Sequence, residues 1–209
     1  MRIAGRAQKL ELVLGLLVIQ FLDIVTSWQI HSGTVFGQPT ANVMVWLDAI
    51  STAVFIALAV ALVAVLLLDR AAHLPRIALL YLLVASLQAG LNVAMLIGTA
   101  HVRNDSVLWG LWDLAAGYLQ IVAVFTGWYY FVDLMSGGTA FRFPENADGS
   151  EFHPRIVDYV FIAFNTNATF GPTSEEVLSR KVKVLMMVQT CMSLGLLLVF
   201  VARIVSLFQ

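Results

Sequence analysis

Charge is the scarcest feature of this sequence. Among 209 residues there are 12 Lys or Arg and 13 Asp or Glu, so charged residues make up 12% of the chain, about half the share usual in soluble domains. Hydrophobic residues make up 60%, more apolar surface than a water-soluble core of this length can hide. A soluble globular domain is therefore excluded. The net charge of −1 leaves no basic footprint for nucleic acid. Cysteine occurs once, at Cys191, which excludes an intrachain disulfide; inside its apolar run it reads as a small packing residue. His31, His73, His101 and His153 are scattered through polar joints, with no His-x₃-His spacing and no cysteine pair, so no metal site is expected. Gly137-Gly138 lacks the following Lys-Ser/Thr of a phosphate loop, and Ser136 has no base near it. Neither enzyme chemistry nor a cofactor is expected. There is no internal repeat, and no apolar run carries the regularly spaced arginines of a voltage sensor.

What the chain does have is long apolar runs separated by short polar joints. Crossing a hydrocarbon core of ~30 Å takes ~20 helical residues. Five runs suffice: Leu12–Ile30, Val43–Leu68, Ile77–Thr99, Val107–Leu134 and Val182–Leu207. The first follows Arg2, Arg6 and Lys9 but is too long for a signal peptide's apolar region and contains Asp23, so it is expected to be a retained span. The joints carry turn residues such as Gly33, Gly37, Pro39, Pro75 and Asn104. Met135–Arg155, with Gly137-Gly138 and the polar stretch Pro144 to Gly149, reads as an exposed loop. After it comes Ile156–Phe170, fifteen mostly apolar residues, which as a helix reach ~22 Å and fall short of a crossing. They end in the polar stretch Asn165 to Thr173. A segment that enters the membrane and turns back fits both features; a helix lying in the interface is the alternative.

The expected fold is thus an all-α polytopic membrane protein of about five transmembrane helices, with a re-entrant segment before the last. Residues 1–136 form a four-span region, 137–155 a polar loop, and 156–209 the re-entrant segment and last span. Lys and Arg set the orientation. With the N-terminus inside, the cytoplasmic side holds Arg2, Arg6, Lys9, Arg70, Arg76, Arg142, Arg155, Arg180, Lys181 and Lys183, against Arg103 and Arg203 elsewhere. That bias predicts a multi-pass protein of the plasma (inner) membrane, N-terminus cytoplasmic and C-terminus outside. Trp109, Trp112, Trp128, Tyr129 and Tyr130 sit near the ends of the fourth run, where aromatic belts are expected.

The stretch Asp158-Tyr159-Val160-Phe161-Ile162-Ala163-Phe164-Asn165-Thr166-Asn167-Ala168-Thr169-Phe170-Gly171, with Arg180 opening the last run, resembles the pore-loop cation channels of the potassium-channel superfamily. Asp158 falls at the start of the pore helix and Phe161 on its aromatic. Thr166, Thr169, Phe170 and Gly171 fall on the first Thr, the last Thr, the Val and the first Gly of the filter. The resemblance covers about a quarter of the chain. It implies an ion channel whose re-entrant segment and last helix repeat around an axis in a homo-oligomer, a tetramer by the family's pattern. Its ligand would be a small inorganic ion, with a monovalent cation as first candidate. After Gly171 the chain reads Pro172-Thr173-Ser174 in place of Tyr-Gly-Asp. Proline fixes φ, so the family's stacked carbonyl sites are not expected. The side chains of Thr166, Asn167, Thr169 and Thr173 are the expected lining instead. The entry side also differs: potassium channels admit the loop from outside, whereas the charge bias places it inside.

On the last run, Met186, Gln189, Thr190 and Ser193 make a weakly polar stripe that suits either a pore lining or helix packing. A second constellation lies near the membrane midplane: Asp23, with Gln20 one turn before it, Gln88, Asn92 and Gln120. A carboxyl at that depth is costly and marks a functional candidate, here an ion or proton site of a small transporter; polar contacts between helices are the structural alternative. Asp48, Asp113 and Asp133 lie nearer the span ends, where interfacial solvation is expected. A non-conducting membrane scaffold is a third reading.

Overall fold

The computed structural model describes residues 6–31, 38–68, 72–98, 107–144, 152–168 and 175–206. Among them are five long helices: α1 (Arg6–His31), α2 (Gln38–Leu67), α3 (Leu74–Gly98), α4 (Val107–Met135) and α6 (Arg180–Ser206). One short helix, α5 (Ile156–Ala168), lies between α4 and α6. Two short strands, β1 (Phe141–Arg142) and β2 (Glu176–Val177), pair antiparallel with Phe141 opposite Val177 and Arg142 opposite Glu176.

Specific contacts give the direction of each helix. Leu96 and Leu196 pack beside Gly117 on α4, whereas Leu82 and Ile19 pack beside Gly127. Ser86 of α3 accepts from Trp128 of α4, and Asn92 donates to Gln120. Positions that rise along α3 therefore fall along α4, and the two run antiparallel. The Phe55–Tyr81 ring contact and the Ser51–Gln88 hydrogen bond do the same for α2 and α3. The start of α1, the end of α4 and the start of α6 thus share one face of the bundle. Gly127 lets the side chains of α1 and α3 come close to α4: a Cβ there would lie 2.8 Å from Leu82 Cδ2 and 3.0 Å from Ile19 Cδ1, and those side-chain ends would have to shift to admit it.

Among the described residues, three helical stretches are long and apolar enough to cross a membrane: Leu74–Leu96, Leu114–Met135 and Arg180–Ala202. Five were expected. In α1 and α2 the described apolar stretches are Leu10–Leu22 and Ile50–Val65, each short of a crossing on its own, although the helices run to 26 and 30 residues.

The chain leaves α4 through a left-handed cap. Gly137 and Gly138 have φ of 70° and 78°, conformations that a Cβ disfavours. The Gly138 N–H donates to the Asp133 carbonyl at 2.9 Å and the Gly137 N–H to that of Leu134 at 3.3 Å, the Schellman pattern that closes a helix end. The turn delivers Ala140 and Phe141 into the protein, where both are buried. The segment expected to be an exposed loop therefore begins with a buried anchor. The Ala140 carbonyl accepts from Leu178 and Ser179 at 3.0 and 3.1 Å, so the exit of α4 and the entrance of α6 are joined by backbone bonds. Arg142 and Glu176 add an exposed ion pair at 3.0 Å, worth at most about 1 kcal/mol.

Candidate functional site

The strand pair bears directly on α5. Because β1 follows α4 and β2 precedes α6, everything between them leaves and returns at one face of the bundle. α5 is 13 residues long, about 20 Å. It runs antiparallel to α4, with Tyr159 beside Asp133 near its start and Asn167 beside Tyr118 near its end. It therefore enters from the face where α4 ends and stops deep in the bundle. Asn167 meets Gln189 and Ser193, and Ser193 lies about 20 Å along α6 from Arg180.

The entrance of α5 is set by two acids. Asp158, in the first turn, accepts from the Arg155 backbone N–H at 2.7 Å. This is the reach-back of a capping box, and an acid there also complements the helix dipole. The residue expected to open a pore helix thus sits where a helix start needs it. The second acid is Asp133, at the end of α4. It is 3% exposed, so the interfacial solvation expected for it does not occur. Its Oδ1 accepts from the backbone N–H groups of Ala140 and Phe141 at 2.8 and 3.3 Å, and its Oδ2 from the Tyr159 hydroxyl at 2.5 Å. One carboxylate therefore holds three elements: the end of α4, the turn leading to β1, and α5. Burial pushes the Tyr159 phenol well above its ordinary value, and donation to Asp133 raises it further. Tyr130, Phe141 and Phe143 all meet the Tyr159 ring edge-on, an arrangement that excludes water from the carboxylate's surroundings.

The inner end of α5 is held by amides. Gln189 of α6 is fully buried. Its Nε2 donates to the Ala163 carbonyl at 2.7 Å and to Asn167 Oδ1 at 3.3 Å, and its Oε1 accepts from the Tyr129 hydroxyl at 2.5 Å. Ser193 also donates to Asn167 Oδ1, and Asn167 Nδ2 reaches the Tyr118 carbonyl at 3.5 Å. Gln189 and Ser193 thus face α5 within their own chain. Thr166 and Thr190 each donate to the carbonyl one turn back, at 2.8 and 2.9 Å. Thr166, Thr190 and Met186 are half-buried, and Phe161 lies exposed on the outer face of α5. Thr169, Phe170, Gly171, Pro172 and Thr173 lie outside the described residues.

The midplane constellation is partly assembled. Ser51 donates to Gln88, and Asn92 donates to Gln120 at 3.1 Å, so four polar side chains from α2, α3 and α4 form two pairs in the interior. The side chain of Asp23 lies outside the described set. Gln20 is 7% exposed, and neither its Nε2 nor its Oε1 has a hydrogen-bond partner. An unsatisfied buried amide group costs on the order of 1–3 kcal/mol.

Sequence reasoning missed Asp133, Tyr159 and Tyr129 as members of the site. The available signal was a carboxylate one residue before the end of an apolar run, followed by Gly137-Gly138: a chain that turns back at once brings its next residues over that carboxylate. No protein-family model, curated protein or solved structure matches the chain.

Proposed function

We propose that this protein is an ion-channel-like subunit of five membrane-spanning helices. Several copies form a homo-oligomer whose conduction path is built from residues about 156–209. The observation that carries this reading is the half-length helix α5. The chain stands at one face at β1 and again at β2, and α5 between them reaches about 20 Å inside, where the buried Asn167–Gln189–Ser193 cluster holds it. Non-helical backbone at membrane depth is tolerated only when buried in protein or lining a water-filled path. The last carbonyls of α5 have no partner within the helix, and its negative dipole end points into the membrane, which favours a cation there. The resemblance of Asp158 to Gly171 to a pore helix and filter supports the same reading.

A single chain has one such element, so a path along an axis requires several copies. The outer faces of α5 and α6 suit that assembly. Val157, Val160, Phe161 and Phe164 on α5, with Met187, Leu194 and Leu198 on α6, are exposed and apolar. Of the apolar window of α6, 22% is buried within the chain, against 67% for α4; the remaining surface is available to lipid and to neighbouring copies. The concentration of Lys and Arg supports a cytoplasmic position for the shared face.

Ion flux into proteoliposomes tests the proposal. Purified protein is expected to pass a monovalent cation, and Thr169→Val and Thr173→Val are expected to change the ratio of cation permeabilities. Flux with unchanged selectivity in both variants would remove these threonines from the path. The Ser51–Gln88 and Asn92–Gln120 pairs favour a second reading, a small ion-coupled carrier with its site among α1–α4. A carrier works within one subunit and needs no axis, so the oligomeric state separates the two.

A further inference from the structure

α1 presents Leu12, Val13, Leu16 and Ile19 to the interior, each under 5% exposed. That stripe packs against α2, α3 and α4. Its register is tied to α3 by the Tyr81 hydroxyl, which donates to the Leu16 carbonyl, and to α4 by Ile19 beside Gly127. Gln20 continues the stripe one turn beyond Leu16 and is buried with it. A leucine there would extend the apolar face. The chain instead has an amide whose donor and acceptor both lack a partner.

Among the described residues, the other buried amides are engaged. Gln88 accepts from Ser51, Asn92 donates to Gln120, and Gln189 and Asn167 hold each other. Gln20 departs from that rule in a setting where bulk water cannot relieve it. Buried polar groups of native proteins are satisfied by protein or by ordered water, and sites lined by several polar groups are where such water resides.

We propose that Gln20 is the anchor of an internal water site on the buried face of α1. One water accepts from Nε2–H and another donates to Oε1. The inward face of α1 is then hydrated at Gln20 and not an inert apolar scaffold. This holds whether the path at α5 conducts or not.

The test compares wild-type protein with Gln20→Met, a variant of nearly the same volume and without the amide, by thermal unfolding in lipid nanodiscs. If water satisfies Gln20, the variant loses those bonds and its Tm falls by about 2–4 °C. If the amide is simply unsatisfied, removing it relieves the penalty, and an unchanged or raised Tm overturns the proposal. Should Gln20→Met fail to assemble, a high-resolution electron-microscopy map of the wild type decides. Discrete peaks about 2.7–3.2 Å from both amide atoms support the site. Apolar side chains closing over the amide without density, or one continuous density larger than water, contradict it.

Discussion

Asp133→Ala is expected to lower the unfolding temperature by on the order of 10 °C and to leave much of the protein poorly assembled. The reasoning is a count of orphaned donors. The carboxylate accepts from the Ala140 and Phe141 N–H groups and from the Tyr159 hydroxyl. Each buried donor left without a partner costs about 1–3 kcal/mol, and domains hold only about 5–15 kcal/mol in total. At about 2–4 °C per kcal/mol for a chain of this size, two or three orphans produce the predicted shift. Tyr159→Phe removes one donor and leaves the carboxylate its two backbone partners, so its effect should be several-fold smaller. Thermal unfolding in detergent, read with size-exclusion profiles, checks both. Equal effects of the two variants would mean that the Tyr159 hydroxyl bond is the whole of the carboxylate's contribution and that its two backbone bonds add nothing.

The second large effect is expected at Gln189. Gln189→Leu leaves the Tyr129 hydroxyl and the Ala163 carbonyl without the partners they have now, and removes one of two donors to Asn167 Oδ1. The expected loss is about 2–4 kcal/mol from two buried groups. Ion flux should fall with it, because the inner end of α5 is no longer held. Adding Tyr129→Phe removes one of the orphaned groups, so the double variant should be less destabilised than the sum of the singles, by roughly 1 kcal/mol or more. Strict additivity would show that Tyr129 and Gln189 do not act as a unit.

Much of this architecture is written in the hydropathy of the chain, because apolar runs long enough to cross a bilayer are also helical. Predicted Val107–Leu134 is observed as Val107–Met135, and predicted Ile77–Thr99 as Leu74–Gly98. The other long helices extend past their apolar runs: α1 begins at Arg6 and α6 at Arg180. Hydropathy reads contact with lipid, whereas the backbone continues its hydrogen bonds into the interface. The short run from Ile156 was legible as a helix too short to cross a membrane, and α5 runs from Ile156 to Ala168. Asn167 was legible as a candidate, but its engagement with Gln189 and Ser193 was not. A polar stripe on a helix does not reveal whether it faces an axis or a neighbouring helix of the same chain. The β1–β2 pair was invisible, since two residues paired with two others 36 and 34 positions away leave no local pattern. Asp133 was misjudged for a related reason: its depth follows from its place in the run, but its solvation depends on a turn that folds back over it.

We propose α5 as a re-entrant element that builds a shared path with its counterparts in neighbouring copies. Electron-microscopy class averages of the protein in nanodiscs test it most directly. The predicted result is a closed ring of a few subunits, four by the pore-loop resemblance, with the inner ends of the α5 helices gathered around the symmetry axis. A monomer, or a twofold dimer with α5 facing lipid and no central axis, would contradict the account and turn attention to the polar pairs among α1–α4.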